Sequence, residues 1–268
     1  MPSADRDKFA TLHRASRVWA IAAVHGMAPQ LVRLHDELDR RLMPGDRIVY
    51  LGNHMGHGSD VVDTVDEMVA YRRRFLSRPM TFVFDVAYLR GSQEEMWQKL
   101  LQLQFAPNPR EVLQWMLDHG VGATLEAYGG NPKEAMIAAR DGAVSITRWT
   151  NGLRSAMQAR PGHAALMSAL RRAAYTDDNA LLFVHAGIDP DRPLTAQSDA
   201  LWWGGGGFAQ LAEPFNGFRR VVRGFEREHG GVTVGAFSTS VDGGAGFGGA
   251  LIAACFGADG AICEQIEV

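Results

Sequence analysis

Four apolar runs in this chain each stop at a glycine turn. VWAIAAV runs into His25-Gly26, RIVYL into Gly52-Asn53, TFVFDVAYL into Arg90-Gly91, and LLFV into His185-Ala186-Gly187. Short apolar runs bounded by turn signals read as buried strands. Between the first three lie helical patterns. Leu31, Leu34, Leu38 and Leu42 recur at helical spacing after Pro29, and Asp60 to Arg74 and Glu94 to Leu103 also read as helices. Alternation of this kind implies an α/β fold whose sites lie at strand ends.

Further along, Pro107 to Tyr128 reads as a helix followed by the loop GVGATLEAYGG. Gly162 to Ala174 reads as a helix and Ala180 to Val184 as a strand. After Phe218 only strands are expected, at 219–223, 232–236, 238–242, 249–256 and 261–267. The run Gly204–Gly207 reads as a flexible loop beside Trp202-Trp203, and Trp203 is the better candidate for an interface role. Arg72-Arg73-Arg74 falls at a helix end, where it complements the helix dipole.

A chain of 268 residues with 46% hydrophobic content suits one domain spanning 1–268, with 1–16 as a flexible arm. The formal charge of −3 gives no reason to expect nucleic acid or a membrane surface as partner. The N-terminus lacks the apolar core of a signal peptide, and no stretch approaches the roughly 20 apolar residues of a membrane span. A cytoplasmic location is expected. Cys255 and Cys263 read as two buried thiols in neighbouring strands.

Five short segments carry a more specific message: AAVHG (22–26), GNHMGHG (52–58), GSQE (91–94), VHAG (184–187) and RGFE (223–226). Their order and spacing resemble the blocks GDxHG, GDxxDRG, GNHE, VHAG and GHT of the calcineurin-like metallophosphoesterase family. The likeness is to the bacterial serine/threonine phosphatase and diadenosine tetraphosphatase type. GVGATLEAYGG resembles that type's GGxxTxxSYG segment, and VDGGAGFGGAL (241–251) its final glycine-rich segment. The resemblance spans about residues 17 to 267. It implies a four-layer α/β/β/α sandwich with two mixed central sheets.

The resemblance also implies a chemistry, two metal ions that share a bridging ligand and activate a water. The ligand positions fall here on Ala23, His25, Asn53, Ser92, His185 and Phe225. The general acid falls on Gln93, its orienting carboxylate on Gly56, and the phosphate-binding arginine on His57. The first-shell carboxylates are thus absent, and two adjacent dications would repel with nothing to offset them. Glutamine does not titrate and cannot be a general acid. Imidazole does not replace a bidentate guanidinium.

The leading expectation is a pseudophosphatase, a scaffold that binds or regulates, with no cofactor and no catalytic residue. Its partner would be a protein or a phosphorylated ligand, and a homo-oligomer is compatible with it. His25, His57, His185 and Arg223 are expected to face the strand-end cavity together. The alternative is an active phosphoesterase with a rebuilt site. It would use one or two divalent transition metals (Mn, Fe or Zn), held by His25 and His185 with help from His54 or His57.

Overall fold

The computed structural model describes residues 8–268. A five-stranded sheet has the order β11 (Ile262–Glu267), β10 (Ile252–Gly257), β2 (Arg17–Ile21), β3 (Asp46–Tyr50), β4 (Val86–Tyr88). A six-stranded sheet has the order β1 (Phe9–Leu12), β5 (Ala173–Thr176), β6 (Leu181–Val184), β7 (Arg220–Arg223), β9 (Ser238–Asp242), β8 (Gly231–Val234). Both sheets are mixed. β2, β3 and β4 run parallel, as do β6, β7 and β9, while β10, β11, β5 and β8 pair antiparallel with neighbours.

Strand periodicity sorts the side chains into two cores. Leu181, Phe183 and Val222 point into the main core with Trp19, Ile48 and Phe256. Leu182, Val184 and Val221 point the other way, into a second cluster with Leu201, Trp202 and Phe208. The sheets meet face to face, with the rings of Phe183 and Phe256 edge-on at 6.1 Å.

Helices α1 (Ala28–Arg41) and α2 (Val61–Leu76) connect β2 to β3 and β3 to β4, and α3 (Ser92–Leu100) follows β4. α1 starts with a proline in its first turn, buries Leu31, Leu34 and Leu38, and ends with Arg40 and Arg41 at its carbonyl pole. Then follow α4 (Pro109–Asp118), α5 (Val121–Ala127), α6 (Pro132–Asp141), α7 (Ala143–Gln158) and α8 (His163–Ala169). The second cluster is closed by short pieces only, among them α9 (Ala200–Trp203) and single turns at Leu194–Ala196 and Phe208–Gln210. Among the described residues no helix is long and apolar enough to cross a membrane.

Several expectations need correction. Residues 9–12 of the expected arm form β1, which pairs in parallel with β5 from Phe9 opposite Ala173; residues 1–7 of that arm lie outside the described residues. The run 81–89 is a strand only at Val86–Tyr88. The Asp85 carboxylate accepts from the Phe82 N–H at 2.8 Å and pairs with Arg47 at 3.0 Å, which closes Val83–Asp85 into a 3-10 turn. GVGATLEAYGG is largely helical, since Val121, Thr124 and Leu125 form a buried helical stripe that the glycines obscure. The helix expected to reach Ala174 stops at Ala169, and the chain turns into β5. Cys255 is buried, but Cys263 is exposed.

One ion pair anchors the start of the first sheet. The Arg17 guanidinium grips Asp46 through two bonds, at 3.0 and 2.7 Å, across the β2–β3 pair. Asp46 also accepts from the Trp19 indole at 3.3 Å and the Met43 N–H at 2.9 Å. Its carboxylate is buried, so removing it leaves the Trp19 and Met43 donors without their acceptor and Arg17 with only Glu264 at 2.6 Å and the Arg41 carbonyl at 2.9 Å. We expect Asp46→Ala to destabilise the fold by about 3 kcal/mol in urea unfolding, in the range for breaking a buried pair. An unchanged m-value would show that the two end states are intact.

Candidate functional site

The parallel strands of both sheets end on the same side, and five strand-end segments meet there. His25 follows β2, Asn53 to His57 follow β3, and Ser92 to Glu94 open α3 after β4. His185 follows β6, and Phe225 follows β7. This is where open α/β sheets place their sites.

A buried carboxylate fixes the geometry. Glu94 accepts four backbone N–H groups: Gly91 at 2.7 Å, Asn53 at 2.9 Å, His54 at 2.8 Å and Met55 at 3.2 Å. The first is a helix-capping bond, and the other three hold the loop after β3 against the start of α3. Space there permits only glycine at position 91, because a Cβ would lie 2.2 Å from the Asn53 nitrogen. Three non-glycine residues in this region adopt left-handed backbone: His25 at φ 51°, Asn53 at φ 51° and His57 at φ 48°. Such strain persists only where the surroundings over-determine it.

Asn53 is fully buried and its amide is committed. Its oxygen accepts from the Ser92 hydroxyl at 3.1 Å and the Gln93 N–H at 2.9 Å, and its NH2 donates to His25 Nε2 at 3.3 Å. That last bond puts the His25 proton on Nδ1, which has no protein partner. Gln93 donates to His57 Nε2 at 3.2 Å and to the His119 carbonyl at 2.8 Å, leaving its own oxygen unpartnered. At Gly56 a Cβ would fall 2.4 Å from the Gln93 side chain, so the glutamine occupies the space a side chain at 56 would need.

His185 donates from Nδ1 to the Leu51 carbonyl at 2.8 Å, and its ring is stacked on Phe225 at 5.4 Å. Phe225 also meets His25 edge-on at 5.7 Å. Ala23 is buried and binds through its backbone only, its N–H donating to the Gly224 carbonyl at 3.0 Å.

A cavity of about 400 Å³ opens at this strand-end side. His25, Asn53, Ser92, Gln93, His57 and Phe225 line it. His185 and Arg223, expected there, do not. His185 is sealed behind Phe225, and Arg223 turns to Ser240 Oγ at 2.7 Å and to the Glu226 carboxylate. Neither does His54 face the cavity, because its Nε2 donates to the Leu89 carbonyl at 2.9 Å.

The structure adds cavity residues that were not expected as site residues: Asp118 and His119 at the end of α4, Arg227 and His229 after β7, and Phe247 in the glycine-rich tail segment. His229 donates from Nδ1 to the buried Asp242 carboxylate at 2.9 Å and stacks on Phe247 at 4.3 Å. Phe247 in turn meets His25 and His57, at 5.1 and 4.5 Å. Trp202 and Trp203 form another part of the wall, with Trp202 buried and its indole N–H unpartnered.

The imidazoles are kept neutral. Burial pushes the His25 pKa well below the ordinary value, and repulsion by His57, His185, His229 and His54 adds to it. Burial lowers His54 and His57 as well, and takes His185 down to about 4. A pair of divalent ions does not fit this donor set. Ala23 and Phe225 offer no donor atom, the Asn53 oxygen already accepts two bonds, and the Phe225 ring covers His185. Among the described residues no three His, Cys, Asp or Glu side chains converge as a metal site would require.

No protein-family model matches the chain. Nor does any curated protein match it. Solved structures do. A protein assigned as a diadenosine tetraphosphatase superposes with TM-score 0.54 and 17% identity, over 97% of this chain and 98% of its own. A serine/threonine protein phosphatase from Saccharomyces cerevisiae gives 0.53 and 15%, over 97% of this chain and 82% of its own. A metallophosphoesterase from Sphaerobacter thermophilus superposes less closely, at 0.45 with 15% identity, over 95% of this chain and 88% of its own. At such identities the likeness defines the fold. It is the metallophosphoesterase type of α/β sandwich, as the sequence motifs led one to expect; chemistry is a separate question.

Two outcomes follow from the site. In Glu94→Gln one oxygen becomes an NH2 that faces two backbone N–H donors. We expect a loss of about 3 kcal/mol in urea unfolding, with Glu94→Asp retaining more stability because it keeps both oxygens. The second concerns pH. His185 has a folded pKa near 4, below its unfolded value of about 6.5, so the unfolded chain takes up the proton first. Stability from the neutral imidazole is therefore complete above about pH 6.5 and is lost as pH falls toward 4, by up to about 3 kcal/mol. Unfolding free energies measured from pH 7.5 to 4.5 should fall in the wild type and fall less steeply in His185→Gln, with His25 and His54 supplying the remaining slope.

Proposed function

We propose that this protein is a pseudophosphatase: a metallophosphoesterase scaffold that works without the dinuclear metal site, as a binding module whose ligand enters the strand-end cavity. One observation carries the reading. His25, Gln93 and Trp202 all line the cavity, and each keeps a buried polar atom without a protein partner. Buried polar groups are normally satisfied, so three orphans on one wall mark a place where something else is bound.

The ligand we favour is phosphorylated, either a small molecule or a modified side chain of a protein partner. His25 carries an unpartnered N–H on Nδ1, His57 accepts the Gln93 amide at Nε2 and so carries its N–H on Nδ1, and Arg227 brings a cation to the wall. Asp118 is the only carboxylate among the lining residues. Positions that would have to ionise or ligate for hydrolysis hold Ala23, Asn53, Ser92, Gln93, Gly56 and Phe225. A phosphate seated there would be held and not cleaved, since none of those positions supplies the charge stabilisation or the proton transfer that phosphoester hydrolysis needs.

The rival reading is an active phosphoesterase with a rebuilt site. It has one observation in its favour, the His229–Asp242 pair, in which a carboxylate orients an imidazole on the cavity wall.

Elemental analysis of the purified, untagged protein, run beside a p-nitrophenyl phosphate assay with added Mn²⁺, separates the two. We expect transition metal well below one per chain and no turnover. Titration with phosphoserine should change the tryptophan fluorescence, and the change should be lost in Trp202→Phe. Metal that co-purifies with activity, or turnover abolished by His229→Ala, would overturn the pseudophosphatase reading.

A further inference from the structure

A second cleft lies away from the strand-end residues. It is about 320 Å³ in volume and sits between β1, at the edge of one sheet, and β4, at the edge of the other. Its walls are mostly apolar, yet α2 contributes Arg72 and the segment before β5 contributes Arg171. Among the described residues no carboxylate lines it. The acid nearest in sequence, Asp85, turns inward to Arg47 at 3.0 Å.

Three features of this cleft are unexplained by folding. Phe82, Val83 and Phe84 are consecutive and all exposed, with the two phenyl rings stacked at 5.3 Å. A run of this kind held out in solvent marks a contact surface. Arg74 on the same helix is paired with Asp39 and Glu67, whereas Arg72 has no ion-pair partner among the described residues. Finally, Tyr88 is buried on the cleft wall with its hydroxyl unpartnered. Arg72 is close enough to act on that hydroxyl, pulling its pKa down against the larger upward push of burial.

An unpaired guanidinium beside an orphan hydroxyl selects an anion with two acceptor oxygens. The apolar walls select an apolar body behind it. The volume lies at the small end of ligand pockets, about 300 to 1,000 Å³, and suits a small molecule. We propose that this cleft binds a small carboxylate with an aliphatic or aryl body, its head on Arg72 and Tyr88 and its tail against Phe84 and Val83. The site is independent of the strand-end cavity and of the reading given to it.

Calorimetric titration of the full-length protein with octanoate, beside 1-octanol as the uncharged match, tests the assignment. Octanoate should bind at least about tenfold more tightly than octanol, the worth of one charge-assisted contact. Val83→Glu changes an exposed rim residue, so the fold is undisturbed, and it should weaken octanoate about tenfold or more by charge repulsion. Arg72→Gln should do the same, and Tyr88→Phe should cost a smaller, several-fold loss. Equal affinity for the acid and the alcohol, undiminished octanoate binding in Val83→Glu and Arg72→Gln, or no binding at millimolar octanoate would each overturn it.

Discussion

The strand-end region hangs on one carboxylate. Glu94 collects four backbone N–H groups from two segments that are about forty positions apart in sequence. It lies in the first turn of α3, where the helix dipole already favours negative charge. Without it the loop after β3 would have three buried N–H groups and no acceptor, and the left-handed backbone at Asn53 and His57 would relax. The positions of His25, Gln93 and the Asn53 amide all follow from that clamp. The first contact is with Asn53, and Asn53 then orients His25 and receives Gln93.

Burial governs the electrostatics of what the clamp holds. Desolvation is the largest cause of the lowered pKa at His25, His54, His57 and His185, and neighbouring imidazoles add to it at His25, His57 and His185. A cluster of imidazoles near the surface would be a cationic patch at mildly acid pH. Here the rings of His25, His57 and His185 are packed against Phe225 and Phe247 and behave as aromatic walls, with N–H edges left at His25 and His57. That is a hydrogen-bonding surface, not a charged one, and it leaves Arg227 as the permanent cation on the cavity.

Much of the fold was legible because glycine turns punctuate buried strands, a pattern that survives whatever the loops do. The parallel strands, α1, α2 and the β-rich tail follow from that alone. Helices 132–141 and 143–158 were missed, although Asn131-Pro132 is a readable start: the Asn131 side chain accepts from the Lys133 N–H at 2.8 Å, and proline occupies the first turn. The positions His25, Asn53, Ser92, Gln93, His57 and Phe225 were picked out by the resemblance of their segments to known motifs, and the strand ends bring them to one cavity. His119, His229 and Phe247 were not. His119 and His229 come from segments with no motif, Phe247 from a glycine-rich segment whose ring position the motif does not single out, and only tertiary packing puts them on the same wall. Arg223 failed for a local reason, since Glu226 three residues on captures its guanidinium.

The strand-end residues are coupled, and this bears on how such a site can change. Gln93 reaches His57 and the His119 carbonyl only because position 56 has no side chain; an ideal Cβ there lies 2.4 Å from the glutamine. His57 can lie where it does only because position 120 is glycine, whose Cβ would fall 2.5 Å from the imidazole. An acidic side chain introduced at 56 alone would therefore expel Gln93, and Gln93 would take the His57 contact with it. Neighbours in direct contact are non-additive in this way, and a set of residues that fit only one another constitutes a packed arrangement of its own.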